Sequence, residues 1–174
     1  CCFRGLCFLA MNIFIFISVI NVEFATAMTL TFSSPFFIVI LSIIFLQDKV
    51  GIYRWSAIII GFLGVVLILR PTGDIFNYYS IYSILTAFAW GVTVIILKFI
   101  PSNFSTSKIQ FYTLMFNVIG AFFLFVILSN DFTVNNLRDL LLMVLTGILG
   151  GTAAILFVYA YRLISLSKLA SFEY

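Results

Sequence analysis

Long apolar runs separated by short polar connections make up nearly the whole chain. The clearest unit covers residues 25–71, where an apolar run over 25–46, the turn Gln47-Asp48-Lys49-Val50-Gly51 and a second apolar run over 55–69 follow one another. A helix needs about 20 apolar residues to cross the hydrocarbon core of a bilayer. The pattern predicts six complete membrane spans, near 6–22, 25–46, 55–69, 78–100, 109–128 and 140–163, and the start of a seventh near Leu166.

Composition turns this helical pattern into a membrane prediction. The chain has 174 residues, of which 64% are hydrophobic and 9% are charged, and its mean hydropathy is +1.25. A soluble domain carries about 25% charged residues. Because backbone groups in lipid must find hydrogen-bond partners within the protein, the runs are interpreted as helices rather than isolated strands. The predicted fold class is an all-α polytopic membrane protein.

The basic residues predict an orientation. If the first span runs outward from the cytoplasm, seven of the nine basic residues lie at cytoplasmic ends, namely Arg4, Lys49, Arg54, Lys98, Lys108, Arg162 and Lys168. Arg70 and Arg138 then lie outside. This distribution follows the excess of Lys and Arg on the cytoplasmic side of membrane proteins, and the opposite orientation would violate it.

Several kinds of chemistry have no support in the sequence. The chain contains no histidine, and Cys1, Cys2 and Cys7 show neither a disulfide framework nor a metal spacing. We expect these cysteines to lie in or near lipid, with acylation as the alternative. We expect no cofactor, no metal, no catalytic residue and no nucleic-acid partner, since the net charge is only +3. A signal peptide is not evident, and both ends suggest that the chain is part of a longer protein.

A possible site begins at Ser33, Ser34 and Pro35, inside the second span. Proline removes a backbone donor and frees a carbonyl one turn earlier, so we expect a helix break here. Such breaks are tolerated in membranes where they line protein or a wet cavity, although a simple packing kink is equally compatible. Trp90 lies in the middle of a span, either as a cavity wall or as part of the packed core.

Two further types of polar residue are candidates. Asn12 and Asn117 are costly to bury, so we expect them to bridge helices. Glu173 would lie about 10 Å along the last helix if that helix begins near Leu166. An acidic group at such a depth indicates either a functional site or a position near the true helix end. The remaining serines and threonines can bond back to their own helices.

Glycines predict where helix backbones approach one another. Gly61 and Gly64 lie close together on one helix, and Gly147 and Gly151 have a GxxxG spacing on another. Small residues allow close helix packing in lipid. Packing is the favoured interpretation, and a ligand that contacts the backbone is the alternative.

Several segments carry a family resemblance. They are EFATAMTLTFSSPFF at 23–37, LQDKVG at 46–51, RWSAIIIGFLGV at 54–65 and LILRP at 67–71, followed by AFAW at 87–90, YAYR at 159–162 and ASFEY at 170–174. Together they resemble the EamA-type transporters of the drug/metabolite transporter superfamily, from helix 3 to the start of helix 9. Members of this family usually carry Gly-Glu where this chain has Gln47-Asp48.

The resemblance implies a ten-helix bundle built from two inverted five-helix repeats. Residues 1–71 would be the C-terminal part of the first repeat, with helices 3–5. Residues 72–174 would be the N-terminal part of the second, with helices 6–8 and the start of helix 9. Sliding residues 9–34 onto 149–174 gives few identities, so the repeat rests on the resemblance alone.

The resemblance also implies a function: secondary transport of a small metabolite by alternating access in a bacterial inner membrane. The subgroup that includes S-adenosylmethionine carriers is the most similar, with amino acids and other metabolites as further options. The chain has no P-loop. Trp90 and Tyr174 would stack on a substrate ring, and Glu173 would pair with an amine or carry a coupling proton. The other candidate binding residues are Ser33, Ser34 and Asn117.

The expected partners are the lipid bilayer, a small-molecule substrate and a coupling proton or counter-substrate, and a homodimer is compatible with the sequence. Two other classes of protein stay open at this point. One is a membrane-embedded enzyme whose catalytic residues lie outside the chain. The other is a non-transporting membrane subunit whose glycine faces dock a partner.

Overall fold

The computed structural model describes residues 2–69, 78–101, 103–128 and 137–163, and within them it contains seven α-helices. We number these helices in chain order. They are α1 (Cys2–Asn21), α2 (Phe24–Thr31), α3 (Ser34–Leu46), α4 (Ile52–Leu69), α5 (Ser80–Phe99), α6 (Thr106–Leu128) and α7 (Leu137–Leu163).

Each of the six complete predicted spans is helical in the structure. Four stretches are long and apolar enough to cross a membrane: Cys2–Asn21, Phe24–Leu46, Ser80–Phe99 and Leu140–Leu163. The second of these is divided between α2 and α3, as the Ser-Ser-Pro sequence predicted. Most helices begin a few residues before the predicted apolar core, because the first helical turn can carry polar groups at the membrane surface. The predicted seventh span near Leu166 lies outside the described residues.

The distribution of side chains is that of a protein whose solvent is lipid. Large apolar residues such as Phe16, Ile60 and Leu156 are mostly exposed. Conversely, many buried residues are polar: Arg4, Ser18, Thr26, Thr29, Ser34, Ser42, Ser80, Ser83, Thr86, Thr93, Gln110 and Thr113. Lipid solvates apolar surface but offers no hydrogen bonds, so polar groups turn inward. The chain is an all-α, multi-pass membrane protein.

Helix α5 is the central element of the bundle. It contacts α1, α2, α3 and α7. Between Ser80 and Thr93, every buried residue of α5 is Ser, Thr, Ala or Gly. Small side chains let neighbouring backbones come close, which is how helices associate when lipid gives no hydrophobic drive. One polar contact fixes this packing directly, because the hydroxyls of Ser18 on α1 and Ser83 on α5 share a hydrogen bond of 2.6 Å.

Close glycine contacts occur at positions other than the predicted ones. A Cβ added at Gly5 would lie 2.7 Å from the Cβ of Phe116, and one at Gly91 would meet Phe37 and Leu41. Around Gly64, Gly147 and Gly151, apart from the adjacent residues and backbone of the same helix, the described part of the chain has no atom within 4 Å of such a Cβ. The GxxxG spacing on α7 therefore forms no packing contact with the described helices.

Charged residues gather at one end of the bundle. Arg162 at the end of α7 donates hydrogen bonds to the carbonyls of Phe104 (2.6 Å) and Pro101 (3.2 Å) in the α5–α6 connection. Lys98 at the end of α5 interacts electrostatically with both Arg162 and Asp48. The end of α7, the α5–α6 connection and the turn after α3 thus share one end, which the basic residues predict to be cytoplasmic.

Candidate functional site

The helix break between α2 and α3 lies at Phe32 and Ser33, directly before Ser34 and Pro35. The amide of Phe32 still donates to the carbonyl of Met28 (3.0 Å), but the amide of Ser33 donates to Leu30, three residues back, at 3.1 Å. The Ser33 hydroxyl donates to the same Leu30 carbonyl at 2.6 Å. Pro35 lies in the first turn of α3, where its missing N–H costs no helical hydrogen bond.

Trp90 lies among aromatic rings from two other helices. Its ring centroid is 6.4 Å from that of Phe8 on α1 and 5.2 Å from that of Phe157 on α7. The side chain is half-buried, and it forms part of the wall of two cavities. Trp90 also packs against the buried apolar core, so each of the two interpretations of its mid-span position describes part of its surroundings.

The larger cavity joins Trp90 to the helix break, and we call it the break cavity. Its volume is about 560 Å³, within the range of roughly 300–1,000 Å³ that small-molecule sites occupy. The lining is apolar and aromatic with a few hydroxyls, and consists of Met11, Ile15, Met28, Thr31, Phe32, Ser34, Thr86, Trp90 and Phe157. Of the candidate residues, the break cavity unites Ser34 and Trp90.

A second cavity, of about 260 Å³, shares part of its wall with the first. We call it the arginine cavity, since Arg4 and Gln110 contribute to its lining. Met11, Trp90 and Phe157 line both cavities. Along α1, the residues Arg4, Phe8, Met11 and Ile15 follow one another at spacings of four, three and four, which places them on one helix face. This face extends over about 16 Å.

Arg4 was not among the residues that the sequence singled out. It was counted only as a cytoplasmic-end cation, yet it is 3% exposed. Its Nη1 donates to the Thr113 hydroxyl at 2.6 Å and to Gln110 Oε1 at 3.2 Å, and these two bonds link α1 to α6. The sequence signal at this position is that Arg4 shares a helix face with Phe8 and Met11, and this spacing does not by itself indicate that Arg4 is buried.

The two asparagines differ from the prediction that they bridge helices. Asn12 Nδ2 donates to the Phe8 carbonyl of its own helix at 2.8 Å. The Nδ2 of Asn117 is buried, and no described residue forms a hydrogen bond with it. Asn117 is not among the residues that line the two cavities. By contrast, the expectation that hydroxyls bond back to their own helices is confirmed at Thr29, Thr31 and Thr93.

Glu173 and Tyr174 lie outside the described residues, so their predicted roles stay predictions. Within the described ranges, no group of three or more His, Cys, Asp or Glu side chains could hold a metal ion.

The fold and the cavities define a class: a multi-pass helical membrane protein with an aromatic-lined cavity beside a broken helix. Residues 3–70 match the EamA-like transporter family. This match bears out the resemblance that the residue pattern of the first three spans predicted.

Curated relatives agree with this family. A riboflavin transporter of Vibrio cholerae is 31% identical over 83% of this chain and 48% of its own length. An S-adenosylmethionine uptake transporter of Rickettsia bellii is 28% identical over 86% of this chain and 50% of its own length. A riboflavin transporter of Rhizobium johnstonii is 38% identical over 41% of this chain and 24% of its own length.

The chain spans about half the length of the first two relatives. No solved structure matches it. The matching family and these relatives are named as transporters and not as enzymes, so these matches argue against the membrane-embedded enzyme.

Proposed function

We propose that this chain is part of a secondary transporter that carries a small metabolite across a bacterial inner membrane by alternating access. The family supports the transporter class, and the relatives named above are bacterial. The single observation that carries the proposal is the break cavity, because it combines a binding-site volume with aromatic walls and a broken helix.

The position of the break cavity suits alternating access. Its lining includes Met28 and Ser34 from residues 1–71, and Trp90 and Phe157 from residues 72–174. If these two segments belong to two inverted repeats, the cavity lies between the repeats. Rocking one repeat against the other would then open the cavity to each side of the membrane in turn.

The walls of the break cavity favour a solute with a planar ring. Trp90 and Phe157 present two neighbouring aromatic surfaces to it. Such surfaces stack on flat π-systems in offset or tilted arrangements. The relatives are named for riboflavin and S-adenosylmethionine, and both of these molecules contain a fused heteroaromatic ring. We therefore propose these two molecules as the first candidate substrates.

The other predicted roles belong to this proposal. Ser33 and Ser34 lie at the break, and Ser34 contributes polarity to the cavity wall. Asn117, Glu173 and Tyr174 are further candidates for the substrate path. Glu173 would pair with a substrate amine or carry a coupling proton, and exchange for a counter-substrate is the alternative coupling. A homodimer remains compatible with the apolar outer faces of the helices.

Transport by purified protein tests the proposal. The complete protein is reconstituted into liposomes, and uptake of labelled riboflavin and labelled S-adenosylmethionine is measured with and without a proton gradient or internal unlabelled solute. Saturable uptake of at least one solute above that of protein-free liposomes is expected. Protein that is folded and inserted but moves no solute of a broad metabolite panel, under any gradient, would overturn the proposal.

A further inference from the structure

Arg4 carries a buried charge that the described part of the chain does not neutralise. Its side chain is 3% exposed, and no carboxylate in the described ranges forms an ion pair with it. Its two hydrogen bonds both leave from Nη1 and go to neutral acceptors, Gln110 Oε1 and the Thr113 hydroxyl. Its Nε is buried and has no hydrogen-bond partner among the residues that the structure describes.

This arrangement holds the guanidinium in place without compensating its charge. The Thr113 hydroxyl donates its own proton to the Ile109 carbonyl at 2.8 Å, so its lone pairs are available to Arg4. A buried cation without a counter-charge is costly, and an ionisable residue inside a membrane protein is ordinarily paired. Arginine has five N–H donors in a rigid fork that suits carboxylates. Among the described residues, the donors of Nη1 alone have acceptors.

The cavity beside Arg4 indicates how an anionic group of a bound solute would reach the guanidinium. Arg4 lines the arginine cavity together with Phe8, Trp90 and Phe157, and this cavity shares Trp90 and Phe157 with the break cavity. A solute whose ring lies against Trp90 would therefore have Arg4 on the adjoining wall.

We propose that Arg4 binds the carboxylate of the transported solute while the ring of that solute lies against Trp90 and Phe157. The substrate class is a metabolite that carries both a planar ring and a carboxylate. This inference rests on the proposed function, and it separates the two candidate substrates. S-adenosylmethionine has a carboxylate on its methionine portion, whereas riboflavin has none.

Binding of matched ligands tests the role of Arg4 without requiring transport. The complete protein in lipid nanodiscs is titrated with S-adenosylmethionine, with its carboxyl methyl ester and with riboflavin, by equilibrium dialysis. We expect the free carboxylate to bind about tenfold or more tightly than the ester, because a charge-assisted hydrogen bond is lost in the ester.

Variants of Arg4 assign that preference to the guanidinium. Arg4→Gln should weaken binding of S-adenosylmethionine to the level of the ester and leave ester binding unchanged, which also shows that the variant is folded. Arg4→Lys should bind S-adenosylmethionine with an affinity between those of the unaltered protein and Arg4→Gln, since lysine keeps the charge but loses the fork. Lys108→Gln removes an exposed cation from the same end of the bundle and serves as the control, with no change expected.

Two results would overturn the inference. One is equal binding of the acid and its ester by the unaltered protein. The other is an acid-to-ester preference that persists in Arg4→Gln. Riboflavin binding at least as tightly as S-adenosylmethionine would also count against it, while leaving the transporter proposal intact. Carboxylate-selective binding through Arg4 without any uptake would support the inference and contradict the proposed function.

Discussion

Gln47 ends α3 in the left-handed region of backbone space, with φ 55° and ψ 32°. Its amide donates to the Ser42 carbonyl, which closes the helix end. Glycine is the residue that ordinarily occupies such a position, because a Cβ makes the left-handed conformation costly. The family resemblance implies Gly-Glu where this chain has Gln47-Asp48, and a glycine would adopt this left-handed conformation without that cost.

Replacing Gln47 with glycine should therefore stabilise the protein. Gln47→Gly relieves the steric cost, partly offset by the larger backbone entropy of glycine in the unfolded chain, for a net gain of up to about 1 kcal/mol. The measurement is the thermal unfolding midpoint in detergent, which should rise. Lys49→Gly is the control, because Gln47 is the only non-glycine residue with positive φ in the described ranges, and its midpoint should fall or stay unchanged.

Prediction from sequence was uneven at the residue scale. Pro35 and Trp90 could be identified because a proline inside a span and a tryptophan away from the interface break local rules. Arg4 could not be identified by the same means, since a cation near the end of a span satisfies every local rule. Its burial comes from Gln110 and Thr113, more than a hundred residues away in the chain, and such contacts leave no local pattern.

At the scale of helices, close packing depends on which glycine face meets a neighbour. Gly5 on α1 contacts Phe116 on α6, whereas Gly147 on α7 has an open surrounding among the described residues. The GxxxG spacing predicted a close helix contact at Gly147, whereas the close contact occurs at Gly5. The spacing of glycines shows that one face of a helix carries small residues. Only the arrangement of the helices decides whether another helix packs against that face.

A matched pair of alanine substitutions tests this assignment. Gly5→Ala should lower the free energy of unfolding by about 1 kcal/mol or more, because the new methyl would overlap the Cβ of Phe116. Gly147→Ala should be neutral or stabilising, since alanine is the better helix former. Both are measured as shifts in the thermal midpoint of the complete protein. A larger loss for Gly147→Ala than for Gly5→Ala would contradict the packing described here.

At the scale of the whole molecule, composition and hydropathy were sufficient for the membrane class and the positions of the helices. The contacts inside the bundle could not be predicted, because they depend on which helices are neighbours and on which of their faces meet. The central position of α5 is an example, since its small buried residues resemble those of any transmembrane helix until its contacts with α1, α2, α3 and α7 are known.

The orientation of the bundle is testable with single cysteines in a cysteine-free version of the complete protein. Asn103 and Tyr78 are exposed residues at the two ends of α5, and the basic residues predict the first inside and the second outside the cell. A membrane-impermeant maleimide applied to intact cells should label Tyr78→Cys, and should label Asn103→Cys only after lysis. The reverse pattern would refute the predicted orientation.

The cavity beside Trp90 is the central claim, and a pair of tryptophan substitutions tests it most directly. The chain has two tryptophans; Trp90 lines both cavities, whereas Trp55 packs against Phe36 and is not part of either lining. Uptake of the transported solute into proteoliposomes is compared for Trp90→Ala and Trp55→Ala, with the amount of inserted protein matched. Trp90→Ala should lower kcat/KM by about tenfold, the upper range for one lost aromatic contact, and Trp55→Ala should leave it nearly unchanged. Unchanged uptake in Trp90→Ala, or an equal loss in both variants, would contradict the claim that the solute binds in this cavity.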